Sequence, residues 1–470
     1  MLDFIVILPL LVVGAGAIIL MLLSTMDNIR EGNSTIVCLA MFAVAFAVQM
    51  ATSLNGSITP YGSVFNGMMV ASTFTKMAGL IILGCGFFSC MIAQTYFTKN
   101  KFCTPEFYSL MMFAACGMLL LTMAAELITV FIALEIMSLS IYVLVGYDRG
   151  SVKRSEAILK YLMLGAFAGG LFTMGAALIY GSAGSTRFEQ IAVHLSESGA
   201  LANPALIAGA FLVIVAFLFK AAAFPFHAWV VDVYDGAPLP VTGFMATAVK
   251  TAIFAVFANF LIIESSLKGV WVEYLFWIAV LTMFAGNLIA ISQDNIKRML
   301  AASGIVHTGY LLVALIALGT DGFSGGVIMF YLAAYAVSTL GIFAALSYLG
   351  GEGEKRNSFD HFKGLAKVRP YSAGAITIFL LSMAGIPPTA GFLGKFYIIT
   401  DAIRAGYMLL AVLAIVSSVL SMWYYLRLVI LMYFSEPEDS FETAGISLAP
   451  ITTVVMAICV FVIGCFPVLF

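Results

Sequence analysis

The sequence predicts an all-α integral membrane protein with about fourteen transmembrane helices. Its composition is the first observation behind this fold class, since 62% of the 470 residues are hydrophobic and 10% are charged. The mean hydropathy of +1.07 is far above that of a soluble globular domain. The other two observations are a regular series of apolar runs and an uneven distribution of basic residues. No basic stripe indicates nucleic-acid binding, because the aromatic residues lie within the apolar runs.

Apolar runs of about 20 residues recur along the whole chain, and a run of this length spans a bilayer as a helix. The connections are short, and even the two longest, 181–203 and 350–369, are too small to form a soluble domain. The N-terminal segment lacks the basic region and cleavage site of a signal peptide, so it is predicted as the first span. In order, the predicted spans are 4–23, 35–54, 69–97, 106–123, 126–147, 156–180, 204–235, 240–263, 271–292, 298–318, 325–349, 370–404, 407–434 and 447–469.

Basic residues collect on one side of this topology. Fifteen of the 22 lysines and arginines follow odd-numbered spans: Arg30, Lys99, Lys101, Arg149, Lys153, Arg154, Lys160, Lys297, Arg298, Lys355, Arg356, Lys363, Lys367, Arg369 and Arg427. The opposite side holds Lys76, Arg187, Lys268 and Arg404. Cytoplasmic loops carry the excess of lysine and arginine. Both termini are therefore expected outside, with an even number of spans.

Two of the predicted spans are broken by proline. The seventh is interrupted at Pro225, and the twelfth at Pro387 and Pro388. Proline frees a backbone carbonyl, which a membrane tolerates only where protein or water satisfies it. Broken helices at corresponding positions indicate internal repeats with functional groups near the midplane. The alternative is that proline is simply commoner in membrane helices.

The two breaks predict two inverted repeats of five helices each. Spans four to eight would match spans nine to thirteen, and because five is odd, the two units enter the membrane from opposite sides. The predicted organisation is three N-terminal helices (1–105), a first repeat (106–264), a second repeat (265–434) and a C-terminal helix (435–470).

Ionisable residues at bilayer depth carry the candidate chemistry, since each lysine there costs roughly 3 kcal/mol. The predicted proton relay consists of Glu135, Lys220, Lys250, His307 and Lys395, with His227, Pro225, Pro387, Pro388 and Lys160 as supporting residues. Glu126 ranks below Glu135, because it lies on the opposite helical face at the membrane edge.

A lysine beside a carboxylate in a membrane is a candidate proton switch. Burial disfavours the charged form of the lysine, and a nearby carboxylate favours it. Moving the partner of Glu135 would therefore change whether Lys220 holds its proton. The alternative for both is a purely structural ion pair. The alternative role of His307 is a hydrogen bond between helices. The alternative role of His227 is a hydrogen bond to a carbonyl freed by the helix break.

No metal or redox cofactor is expected on this chain. The sequence has no HExxH, haem-attachment or dinucleotide-binding motif. Its seven cysteines form no CxxC pair and mostly lie within spans, which is typical of inert buried thiols: Cys38, Cys85, Cys90, Cys103, Cys116, Cys459 and Cys465.

Three strings resemble a known family: HAWVVDVYDGAPLPVTGFMATAVKTA (227–252), QDNIKRMLAASGIVHTGY (293–310) and AGIPPTAGFLGKFY (384–397). They are similar to the antiporter-like subunits of proton-pumping NADH:quinone oxidoreductase, respiratory complex I, which are related to Mrp-type antiporter subunits. The resemblance runs from the fourth to the thirteenth span. Within the family the chain looks most like the N-type subunits, because it lacks a long C-terminal extension and has Lys395 where the M-type carries glutamate.

The resemblance implies one proton channel built from two inverted five-helix repeats. Glu135 and Lys220 would form the first half-channel, Lys250 and His307 the central connection, and Lys395 the second half-channel. One string departs from the family pattern, which usually reads AYSSI where this chain reads AASGI. Ala302 and Gly304 remove hydroxyl groups that could have held water.

The expected function is proton translocation driven by quinone reduction elsewhere in a larger complex. The expected partners are other membrane-arm subunits and the lipid bilayer, with NADH and quinone reached only through other subunits and the complex in the bacterial inner membrane. One alternative is a cation/proton antiporter subunit of the Mrp type or of a membrane-bound hydrogenase. Another is a structural scaffold with an inactive channel.

Overall fold

A computed structural model describes residues 2–25, 31–54, 62–100, 105–147, 152–198, 203–263, 268–318, 325–351, 354–438 and 447–467. Four residues named above, Arg30, Cys103, Lys101 and Arg149, lie outside these ranges. The first half of the chain contains α1 (Leu2–Val6), α2 (Leu8–Leu23), α3 (Glu31–Leu54), β1 (Gly62–Val64), β2 (Met69–Ala71), α4 (Thr73–Asn100), α5 (Pro105–Met123), α6 (Leu127–Val145), α7 (Val152–Ala183), α8 (Phe188–Ser198), α9 (Pro204–Ala221) and α10 (Val230–Gly236).

The second half is also helical. It contains α11 (Leu239–Phe244), a π-helical turn (Met245–Val249), α12 (Lys250–Ile263), α13 (Lys268–Ile291), α14 (Ile296–Ala317), α15 (Gly325–Leu349), a 3-10 turn (Phe359–Phe362), α16 (Leu365–Val368), α17 (Pro370–Ala384), α18 (Ala390–Arg404), α19 (Met408–Phe434) and α20 (Ala449–Cys465).

The all-α membrane fold class is confirmed. Within the described ranges, eleven helical segments are long and apolar enough to cross a membrane, and α2, α17 and α20 are shorter apolar helices. The tenth span, predicted at 298–318, is observed at Ile296–Ala317, and the eleventh has the predicted bounds.

The structure differs from the prediction near the N-terminus. The third span was predicted to begin at residue 69, but Met69–Ala71 forms β2, which pairs antiparallel with β1. Asn66 and Gly67 have φ of +54° and +88° between these strands, a conformation that Asn-Gly adopts readily in hairpins. The first predicted span is divided at Ile7, and the 181–203 connection contains α8.

The core of the bundle lies around α14. This helix is buried along nearly its whole length, with α11, α12 and α15 the next most enclosed. The outer helices α3 and α7 instead present large apolar side chains at the surface. A helix that is apolar all round belongs inside a bundle. Lys250 of α12 and His307 of α14 are therefore surrounded by protein on all sides.

Both predicted helix breaks are present. The helix α9 ends at Ala221, and Ala222 takes a left-handed φ of +62° before Pro225; α10 resumes at Val230. The helix α17 ends at Ala384, Gly385 takes φ of +87°, and α18 resumes after Pro387 and Pro388. The two lysines lie on different sides of their breaks. Lys220 precedes the first break, and Lys395 follows the second.

Candidate functional site

The amine of Lys220 contacts α6. Its Nζ donates to Ser138 Oγ at 2.7 Å and to Tyr142 OH at 3.3 Å, and it lies 5.5 Å from the centre of the Tyr142 ring. Ser138 and Tyr142 are one helical turn apart, so they present their hydroxyl groups on one face. Lys220 is therefore held by neutral oxygen atoms and an aromatic face.

The Glu135 carboxylate lies one turn before Ser138 on α6 and is half-buried. It forms no ion pair with Lys220, whose hydrogen bonds go to Ser138 and Tyr142. A Cβ atom added at Gly169 of α7 would lie 3.3 Å from Glu135 Oε1, so this glycine leaves room beside the carboxylate. The Lys220 amine is therefore bonded on the same helix as Glu135, at Ser138 one helical turn away.

Lys250 lies at the centre of the bundle, directly after the π-helical turn of Met245–Val249. Its Nζ donates to the Gly304 carbonyl oxygen at 2.5 Å and lies 5.0 Å from the centre of the Tyr335 ring. Gly304 is one of the two residues, with Ala302, at which the sequence departs from the family pattern. The departure removes a side-chain hydroxyl, and the backbone carbonyl of the same residue holds the amine.

A small cavity joins Lys220 to Lys250. The space that the centre of a water molecule can occupy in it is about 10 Å³. Its lining includes Lys220, Lys250, Tyr161, Trp229, Tyr234 and Gly304. A cavity of this size accommodates about one water molecule when polar partners line it. Two amines and two phenols supply such partners, so the space can bridge the lysines by hydrogen bonds.

His307 lies in mid-α14 and both of its ring nitrogens face tyrosine hydroxyl groups. Nδ1 is 2.6 Å from Tyr331 OH on α15, and Nε2 is 3.3 Å from Tyr425 OH on α19. Tyr425 OH also makes a short hydrogen bond with Ser303 Oγ. The imidazole ring is stacked obliquely on Tyr335, at 4.6 Å between ring centres.

Lys395 completes a row across the bundle. Its Nζ donates to the Ala384 carbonyl oxygen at 2.9 Å and to Ser418 Oγ at 3.0 Å, and it lies 5.1 Å from the centre of the Tyr310 ring. The Tyr310 and His307 rings are 6.1 Å apart. Aromatic rings therefore lie between His307 and the amines on both sides, Tyr335 towards Lys250 and Tyr310 towards Lys395.

The carbonyls freed by the helix breaks are satisfied. Thr308 Oγ1 donates to the Ala221 carbonyl at 2.7 Å, and Trp229 Nε1 donates to the Phe219 carbonyl at 3.3 Å. In the second break, Lys395 itself bonds the Ala384 carbonyl. A broken helix in a membrane requires such partners. The breaks thus connect the relay residues to the surrounding helices.

His227 and Lys160 lie apart from this row. His227 stacks on Phe224 at 5.3 Å, and its buried Nδ1 has no hydrogen-bond partner among the described residues. The carbonyls of the break are bonded by other groups, so His227 is not their donor. Lys160 forms ion pairs of 2.7 Å with Glu156 and Asp232 at the edge of the bundle.

Sequence reasoning missed the polar partners of the relay residues. Ser138 and the tyrosine hydroxyls lie in apolar spans, where serine and tyrosine carry no distinctive signal. One clue was present, since Tyr331 and Tyr335 are four residues apart and share a helical face. A buried tyrosine usually requires a hydrogen-bond partner. The partners themselves come from distant parts of the chain.

No cluster of three or more histidine, cysteine or acidic residues that could bind a metal occurs in the described part of the chain. The buried thiols of Cys38 and Cys90 lie 3.2 Å apart, and they are distant in sequence from the relay residues. The row of amines, imidazole and hydroxyl groups is instead suited to passing protons, because each member can donate a hydrogen bond.

Comparison with known proteins identifies the family of the chain. The family model described as "NADH:quinone oxidoreductase/Mrp antiporter, TM" matches residues 124–421. The NADH-quinone oxidoreductase subunit N of Trichlorobacter lovleyi is 41% identical over 401 residues, covering 84% of this chain and 82% of that protein. The corresponding subunit N 1 of Sorangium cellulosum is 37% identical and covers 99% of this chain and 96% of its own length.

Solved structures extend the likeness to three dimensions. A chain of respiratory complex I from Thermus thermophilus, solved with bound aureothin, superimposes with a TM-score of 0.82 at 31% identity and covers 98% of both chains. A chain of the Mrp complex from Dietzia sp. DQ12-45-1b shares the fold, with a TM-score of 0.84 at 21% identity, over 100% of this chain and 94% of that one. The chain therefore belongs to the NADH:quinone oxidoreductase/Mrp antiporter family of membrane proteins, and the relatives described here as subunit N agree with the N-type resemblance of its sequence.

Proposed function

We propose that this chain translocates protons across an energy-transducing membrane as a subunit of NADH:quinone oxidoreductase. The observation that carries the proposal is the row of Lys220, Lys250, His307 and Lys395 through the centre of a membrane bundle. Each buried lysine costs roughly 3 kcal/mol at bilayer depth. Hydroxyl groups and a cavity link these side chains. This arrangement is consistent with side chains that gain and lose protons during turnover.

One end of the proposed route is formed by Glu135 and Lys220. Ser138 lies one helical turn after Glu135 and is already bonded to the amine, so a small shift of the carboxylate would change the charge that faces Lys220. The route continues through the cavity to Lys250 and through His307 to Lys395, and the hydrogen bonds around His307 set the direction in which a proton moves along it. His227, Pro225, Pro387, Pro388 and Lys160 act in support by shaping the two breaks and the edge of the bundle.

We further propose fourteen spans. Eleven helical segments of the described ranges qualify by length and apolarity, and the other three spans would be α2, α20 and the broken pair α17–α18. Spans four to eight (106–264) and nine to thirteen (265–434) would form the two inverted repeats, flanked by 1–105 and 435–470. The left-handed residues that begin both breaks, Ala222 and Gly385, support the correspondence between α9–α10 and α17–α18.

In its assembly the chain would lie in a bacterial inner membrane with both termini outside. It would pack against other membrane-arm subunits, and these would connect it to the subunits that bind NADH and quinone. The redox centres would lie on those other subunits. The names of the subunit N relatives support this assignment over a cation/proton antiporter, for which the Mrp likeness gives only a shared fold.

The test compares two glutamates in the assembled complex, reconstituted in proteoliposomes. Glu135→Gln removes the carboxylate beside Lys220, and we expect NADH-driven proton uptake to fall by about tenfold or more. Glu126→Gln is the matched control, because Glu126 lies at the N-terminus of α6 and accepts a hydrogen bond of 2.5 Å from Thr186. Equal losses, or a larger loss in the control, would contradict the assignment.

A further inference from the structure

We propose that Tyr331 and Tyr425 carry the proton through His307 as a directional chain of hydrogen bonds. The proposal rests on the proposed function and names the residues that connect its two halves. Neither tyrosine is distinctive in the sequence. The hydrogen-bonded chain consists of Tyr331, His307, Tyr425 and Ser303, and it joins α15, α14 and α19.

The four side chains form one unbroken path. Tyr331 OH lies 2.6 Å from His307 Nδ1, His307 Nε2 lies 3.3 Å from Tyr425 OH, and Tyr425 OH is bonded to Ser303 Oγ. All four residues are buried. Because both ring nitrogens are occupied by hydroxyl groups, the imidazole is the centre of the path and not its end.

Hydrogen-bond accounting assigns the resting direction. Among the described residues, the hydroxyl of Tyr331 bonds to His307 Nδ1 and to no other group. If Nδ1 carried the ring proton, the Tyr331 O–H would be buried without an acceptor, which costs about 1–3 kcal/mol. The favoured arrangement therefore has Tyr331 donating to Nδ1, with the ring proton on Nε2.

The direction then continues to Ser303. The Nε2–H of His307 donates to the Tyr425 oxygen, and the Tyr425 hydroxyl donates to Ser303 Oγ. A proton arriving at the Tyr331 oxygen displaces the phenolic proton onto Nδ1. The Nε2 proton moves to the Tyr425 oxygen, the Tyr425 proton moves to Ser303, and the original Ser303 proton leaves. One proton enters and one leaves, and every hydrogen bond is left reversed.

The two ends of the chain lie towards the two central lysines. Tyr331 packs against Gly394, the neighbour of Lys395, since a Cβ atom added at Gly394 would lie 2.9 Å from Tyr331 Cδ2. Ser303 precedes Gly304, whose carbonyl oxygen accepts from Lys250. The reversed chain leaves the Tyr331 O–H without its acceptor, so the path favours a return to the resting direction after each transfer.

The test uses Tyr331→Phe and Tyr425→Phe in the complete reconstituted complex. Phenylalanine keeps each ring and removes only the hydroxyl. We expect both variants to assemble and to pump at least about tenfold more slowly, with a changed D2O isotope effect on proton uptake, which a purely structural role of the ring would not alter. Tyr108→Phe is the matched control, because Tyr108 is buried in α5 and its hydroxyl accepts from Thr35 at 2.9 Å.

Native pumping with a native isotope effect in either tyrosine variant would overturn the proposal. If a tyrosine variant does not assemble, Ser303→Ala takes its place, because it interrupts the other end of the hydrogen-bonded path. Native pumping with a native isotope effect in Ser303→Ala would likewise overturn the proposal. Lys395→Ala in the same assay separates this inference from the proposed function. If Lys395→Ala abolishes pumping and the phenylalanine variants do not, only the tyrosine chain is wrong; if Lys395→Ala pumps normally, the proposed function itself fails.

Discussion

Replacing Lys250 by methionine distinguishes a charge retained for function from one retained for stability. The amine donates to the Gly304 carbonyl at 2.5 Å and lies over the Tyr335 ring at 5.0 Å. Methionine fills a similar volume and adapts its shape to irregular space. It cannot donate or carry a proton. The substitution therefore interrupts the row between Lys220 and His307 while the surrounding packing is kept.

The opposing energies are similar in size. Loss of the hydrogen bond from a charged group costs about 1.5–3 kcal/mol, and loss of the cation–π contact costs roughly 0.5–2 kcal/mol. Removal of a lysine from bilayer depth stabilises the folded protein by roughly 3 kcal/mol, because the cost of burying the charge is no longer incurred. The Gly304 carbonyl keeps a second donor, since it lies inside α14 and accepts from the backbone N–H of Thr308. We therefore expect the free energy of unfolding to change by less than about 2 kcal/mol.

The assay has two readouts on the same purified complex. Thermal unfolding measures stability, and NADH-driven acidification of proteoliposomes measures pumping. We expect a nearly native melting temperature together with pumping reduced by about tenfold or more. Native pumping by Lys250→Met would refute the assignment of Lys250 to the route. A large loss of stability with proportional loss of pumping would show that the lysine is structural.

Two further predictions concern packing and charge. Lys297 and Glu354 form a buried ion pair of 2.7 Å, so Lys297→Met alone should lower the free energy of unfolding by about 3–5 kcal/mol, and adding Glu354→Gln should restore much of it, as measured by thermal unfolding. If the double variant is no more stable than the single one, the stranded carboxylate is not the cause. A Cβ atom at Gly117 would lie 2.5 Å from the Met137 backbone nitrogen, so Gly117→Val should cost about 1–3 kcal/mol. Gly170→Ala, where a Cβ atom meets nothing within 4 Å, is the control, and equal melting temperatures for these two variants would contradict the close approach of α5 and α6.

Much of the fold followed from local properties of the sequence. The length and apolarity of each run predicted the bounds of α14 and α15 to within two residues, because a bilayer imposes both. Proline predicted the two breaks for a covalent reason. The β1–β2 hairpin was missed, because its strands have three residues each and run into an apolar helix. The Asn66-Gly67 turn was the available signal.

The candidate site was predictable only in part. The isolated charges stood out because the membrane makes each of them costly, and the structure places Lys220, Lys250, His307 and Lys395 in one row. Their partners depend on contacts between distant residues. Ser138 lies 82 positions from Lys220, and Tyr425 lies 118 positions from His307. Local pattern cannot specify such pairs, and it also suggested a direct approach of Glu135 to Lys220 where Ser138 is bonded instead.

The most direct measurement of the central claim is the number of protons translocated per NADH oxidised when the three amines of the row are removed. The variant Lys220→Met, Lys250→Met and Lys395→Met leaves this chain without a lysine in the row, and the assembled complex would be reconstituted beside the native one. We expect a lower ratio of protons to NADH, or a turnover that stops together with pumping. A native ratio at native turnover would show that protons do not pass through this chain.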